Sequence, residues 1–168
     1  MEKPDTDLVL PEALQALSQS KPSQCTCALK HCRGWESVSD DRWPASQMQR
    51  KGTLRAPLPE GQTEPSFEEF HPDGTRYDSP QAPIAPTYFP YNRCDVFACT
   101  KCGCGVLKYT EYGGYYVDHR VRLLDPDLVL TPQDDEQLYK ACLPNWFWRW
   151  FCGRSCGSRS GIGCVGSG

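Results

Sequence analysis

At 168 residues the chain has room for one domain, and 15 prolines, 14 glycines and a mean hydropathy of -0.59 describe a loop-rich fold around a modest core. Its formal charge of -3 is uneven: residues 1–139 carry 14 basic against 21 acidic side chains, which argues against broad nucleic-acid binding and suits a basic protein partner. No run approaches the ~18 apolar residues of a membrane span, and the opening MEKPDTDLVLPEALQ lacks the pattern of a secretory leader, so a cytoplasmic chain is expected.

In that compartment thiols stay reduced, and grouped cysteines favour metal over disulfides. There are 11 cysteines to place. Pro11 to Gln19 reads as a short helix, with proline in the first turn and Leu10, Ala13, Leu14 and Leu17 recurring on one face. Pro22 stops it. A first thiol cluster follows at Cys25-Thr26-Cys27 and His31-Cys32. Residues 33–65 show little periodicity, although Trp35, Trp43, Met48 and Leu54 can tack the segment onto a core.

Pro72-Asp73-Gly74 between Phe70 and Tyr77 carries turn chemistry, proline setting φ and glycine taking the left-handed position, so a hairpin is predicted over 67–77. The stretch PQAPIAPTYFP from Pro80 to Pro90 must be extended. Its prolines bar it from a central strand, and Ile84, Tyr88 and Phe89 suggest a segment wrapped over a sheet.

The densest stretch is Cys94 to Leu124. Gly113-Gly114 lies between runs rich in Tyr, Val and Thr and predicts a hairpin with a two-residue loop, placing Tyr112 opposite Tyr115 and Lys108 opposite His119. Val106, Val117 and Val121 then share the core face, and Glu111, Asp118 and Arg120 the other. Ahead of it, Cys99-Thr100-Lys101-Cys102-Gly103 lets two thiolates point at one tetrahedral ion while glycine lets the backbone fold under the metal. This turn resembles half of a zinc ribbon or a rubredoxin-type knuckle. The resemblance covers about a dozen residues and implies a zinc site. No second C-x-x-C pair follows downstream, which leaves the rest of the shell open.

The metal candidates are therefore Cys99 and Cys102, then Cys104 and Cys94 beside them, with Cys27 and Cys32, or Cys25 and His31, completing a shell from the N-terminal cluster. On the predicted register His119 stands too far from the knuckle and is expected on the sheet surface. An iron–sulfur alternative comes from Cys94, Cys99 and Cys102, whose spacing resembles the C-x4-C-x2-C of plant-type [2Fe–2S] ferredoxins. Phe97 and Lys101 in that loop, and a hairpin before Cys142, depart from the ferredoxin pattern. An enzyme with a Cys/His site is the third class. No nucleophile elbow, phosphate loop or paired-carboxylate motif is present.

Beyond the sheet, Thr131 and Pro132 open a predicted helix running to about Cys142. From Asn145 the composition changes to aromatic residues around Arg149, then Gly, Ser and Cys, which reads as a disordered tail. The expected organisation is a helix in residues 1–22, one cysteine-containing α+β domain over 23–144, and the tail 145–168. The fold class is α+β: a small antiparallel sheet with a zinc-knuckle-like turn, short flanking helices and long proline-rich loops. The function expected of it is that of a zinc-stabilised, non-enzymatic binding or regulatory protein whose partner is another protein.

Overall fold

The computed structural model describes residues 7–131, apart from residues 19 and 59. The helix predicted over 132–142 and the tail with Cys152, Cys156 and Cys164 lie outside the described residues. The described chain is α+β, as the sequence implies. One helix, α1 (Pro11–Leu17), precedes five strands: β1 (Glu36–Ser37), β2 (Met48–Thr53), β3 (Asp95–Cys99), β4 (Gly105–Tyr112) and β5 (Val117–Leu123). They form a single antiparallel sheet in the order β1-β5-β4-β3-β2. Sequential strands are neighbours from β3 to β5 because two short turns connect them.

Side chains alternate across the pleat, and here both faces are covered. One face presents Val96, Leu107 and Tyr109, which pack with Leu14, Trp35, Ile84, Tyr91 and Leu124. The other presents Val106, Val121 and Leu123, which pack with Val38, Leu29 and a group of cysteines. Alternating sequence therefore does not read as apolar and polar here; Lys108 and Arg122 sit inside the strand pattern. Lys108 covers the Trp43 ring, its ammonium 4.4 Å from the centroid. Arg122 is fully buried.

The β4–β5 register differs from the predicted one by two residues. Tyr112 pairs with Val117, Thr110 with His119, Lys108 with Val121 and Val106 with Leu123. Four residues separate the strand ends, and the Gly113 N–H donates to the Tyr116 carbonyl at 2.9 Å, which centres the turn on Gly114 and Tyr115, one residue beyond the predicted Gly113-Gly114. The Tyr116 ring lies over Gly113, where a β-carbon would meet it at 2.5 Å. A two-residue slip keeps every side chain on its face, so Val106 and Val121 still share a core. Val117 does not join them; it is exposed near the hairpin tip.

Residues 67–77 also depart from the predicted hairpin. The turn forms, with Gly74 at φ +67 donating its N–H to His71, but no strands flank it. Phe67 and Tyr77 instead pack on Phe89, and Phe70 on Tyr88, while the Phe89 N–H donates to Glu68. The aromatic side chains bind the segment to the proline-rich stretch more firmly than to itself. That stretch does wrap the sheet: Ile84 exchanges hydrogen bonds with Leu128 and Leu130 and is fully buried.

α1 rests on the first core through Leu14, which is inaccessible to solvent. A helix of two turns has little stability of its own, so this contact holds it. Leu14→Ala is expected to lower the unfolding free energy by about 2–5 kcal/mol, measured as a shifted urea midpoint with unchanged slope.

Candidate metal centre

β3 ends at Cys99 and β4 begins at Gly105, and the turn between them is the knuckle. The Gly103 N–H donates to the Cys99 carbonyl at 2.8 Å, and Gly103 takes a φ of +71, a left-handed conformation that side chains other than glycine resist. The Cys99 N–H donates to the Cys104 carbonyl, so these residues face one another across the end of the hairpin. Cys104 is also bridged to Ser20, which brings the N-terminal segment alongside. From there a 3-10 turn at Pro22–Gln24 leads into Cys25-Thr26-Cys27, with the Cys25 N–H donating to Pro22.

The two cysteine pairs converge. The sulfurs of Cys27, Cys99 and Cys102 lie within 4.8 Å of one another, as do those of Cys25, Cys102 and Cys104. Cys25 Sγ is 3.8 Å from Cys102 Sγ and 3.2 Å from Cys27 Sγ. A tetrahedron of thiolates at a Zn–S distance of ~2.3 Å has edges of roughly 3.8 Å. These sulfurs are spaced for an ion, and all belong to cysteines free of disulfide.

Backbone amides aim at the same sulfurs. The Lys101 and Cys102 amides bond to Cys99 Sγ, the Leu29 amide to Cys27 Sγ, and the Cys104 and Thr26 amides to Cys102 Sγ. Such donors hold charge on sulfur. Burial pushes Cys25 and Cys27 up to about 11 and also raises Cys99. Burial acts on Cys102 too, but the Cys104 amide and the Cys99 thiol, with further donors, take it down to about 6. Burial pushes Cys104 up to about 12, and its thiol donates to the Lys21 carbonyl at 3.6 Å.

The other candidates lie elsewhere. Cys94 is in the opposite core, its sulfur directed at the Pro90 carbonyl at 3.4 Å. Cys94 stands five positions before Cys99 on an extended strand, an odd offset, so the two project from opposite faces. Cys32 is buried in the cysteine-side core but belongs to neither sulfur group; its backbone caps β5, accepting from the Leu123 N–H. His119 bonds Thr110 at 3.1 Å and faces Asp40 at 3.3 Å, on the sheet. His71 bonds Glu69 and Thr75. Cys25 is the residue that sequence spacing ranked too low; its C-x-C spacing with Cys27 was the available signal.

A groove of about 560 Å³ opens on the knuckle, lined by Ala16, Leu17, Ser20 and residues 98–103, with Gln49 and Lys51 on its rim. It exposes the cluster to solvent at Cys102, the half-buried member. Together the fold and site define a small α+β protein with a clustered-cysteine centre able to hold a metal ion. Comparison with protein-family models, curated proteins and solved structures finds no match to this chain. Among the described residues no helix is long and apolar enough to cross a membrane.

Proposed function

We propose that this chain is a zinc-stabilised, non-enzymatic protein-binding protein of the reducing cytoplasm, its metal structural and held by Cys25, Cys27, Cys99 and Cys102. The observation that supports the metal assignment is the convergence of two cysteine pairs, one on a β-turn and one on a distant loop, their sulfurs falling into two groups of three that share Cys102, each within 4.8 Å, with amides aimed at them. All-sulfur donation suits zinc and disfavours magnesium or calcium. A closed four-thiolate shell leaves no open position for a substrate, which is the mark of a structural site. The iron–sulfur reading required Cys94, which lies in the opposite core.

Metal analysis of protein purified without oxygen, with its visible spectrum, tests this. One zinc per chain and no colour is the expected result; iron with sulfide and a brown solution would overturn it. Zinc binds thiolate, so loading must release the protons still held. Burial holds Cys25, Cys27 and Cys99 toward the thiol form while neighbouring donors hold Cys102 toward thiolate, so proton release as zinc binds is expected, read with an indicator dye in weak buffer.

A further inference from the structure

The β4–β5 hairpin ends in the most exposed aromatic group among the described residues. Tyr115 is 105% exposed, Tyr112 80%, Val117 61% and Tyr116 56%. Four large apolar side chains at one tip are costly to leave in water and add nothing to either core. Beside the tip, β1 is only two residues long. It pairs with β5 at Val121 and Arg120, and the Val38 N–H donates to the His119 carbonyl. Even-numbered residues of β5 bond toward β4, as the Gly113–Tyr116 bond fixes, so odd-numbered ones face the β1 side. Val117 therefore turns its N–H and carbonyl outward, past the end of β1.

A groove of about 380 Å³ lies there, lined by residues 37–40 and by Val117, Asp118 and His119. Its surroundings are acidic. Residues 36–42 and 111–120 hold Glu36, Asp40, Asp41, Glu111 and Asp118 against two arginines. Arg120 is already paired with Glu111 at 3.2 Å and Asp118 at 2.9 Å. Asp40 has a side chain 83% exposed.

We propose that this tip and groove dock an extended basic segment of a partner protein. The backbone of Val117 offers the first rung of an added strand. The tyrosine faces receive guanidinium groups, and the carboxylates supply the complementary charge. The proposal rests on the reading of the chain as a protein-binding protein and names the surface and the chemistry of the partner.

The test is titration of the zinc-loaded full chain with nona-arginine, followed by amide NMR shifts, with nona-glutamate as control. Shifts confined to residues 36–42 and 111–119 are expected. Tyr112→Ser with Tyr115→Ser should weaken the affinity about tenfold. Asp40→Asn with Asp41→Asn should weaken it and flatten its decline between low and about 150 mM salt. Zinc content and far-UV dichroism should stay unchanged in both variants, since none of these side chains touches the cysteines. Shifts elsewhere on the chain, or affinity indifferent to both variants, overturn this surface while leaving a protein-binding role standing. Partition of the tip into neutral phosphatidylcholine vesicles, without a response to nona-arginine, overturns it in favour of a membrane. Absence of zinc strikes the structural-metal reading alone.

Discussion

Cys102→Ser should empty the metal centre and lower the melting temperature by on the order of 10 °C. Cys102 is the one residue common to both sulfur groups, and its sulfur receives the largest set of donors in the cluster. Serine is a poor zinc ligand, so the loss cannot be made good by the remaining three thiolates. Zinc per chain by mass spectrometry and a thermal scan read the two effects separately. Two companions sharpen the result. Cys104→Ser should keep the zinc, because Cys104 spends its thiol on the Lys21 carbonyl. Cys94→Ser should keep it as well, from the far side of the sheet. Loss of zinc in Cys104→Ser with retention in Cys27→Ser would move the site to the Cys25, Cys102 and Cys104 group.

Arg122→Ala should cost about 4 kcal/mol of unfolding free energy. Arg122 has no exposed surface, and its guanidinium donates to the carbonyls of Pro80 and Ala82 and to the Tyr91 hydroxyl. Burial pushes that hydroxyl up to about 12, so it remains a neutral partner. Removing the side chain leaves the Ala82 carbonyl, 2.7 Å from Nη2, buried with nothing to accept from, and opens a void under the proline-rich stretch. Arg122→Met fills the void without restoring the donors, and should recover about half of the loss. Urea unfolding of both variants separates packing from hydrogen bonding. Equal stability of Arg122→Met and the parent chain would show that the two carbonyls need no donor.

What could be read from sequence was what is decided within a few residues. The knuckle at Cys99 to Gly103, the hairpin after it and the helix from Pro11 all depend on local chemistry: a glycine that turns, a proline that starts, a strand that alternates. The register failed by two because the loop is closed by the Tyr116 carbonyl and ring, and two adjacent glycines do not reveal that. The Pro72-Asp73-Gly74 turn was legible, but the destination of its flanking aromatic residues was not, since Phe89 lies outside the segment. The partner of the knuckle was legible by elimination, since no second C-x-x-C pair follows downstream and the N-terminal thiols remain. Which of Cys25, Cys27, His31 and Cys32 converge on it was not, because the fold alone brings Cys25 and Cys27 to Cys99, Cys102 and Cys104. The exclusion of Cys94, by contrast, follows from strand parity alone and was available from the outset. Arg122 resisted reading for another reason: a charged residue in an alternating strand looks like a solvent position until a second layer covers that face.

The two halves of the centre come from points 77 positions apart in the chain. Bringing such ends together costs an unfolded polymer about 4 kcal/mol, by the logarithm of the loop length. The knuckle half forms within a single turn and can take up an ion early. An ion held by both halves would therefore act as a clasp on a long loop, its full ligation marking a chain whose distant parts have met.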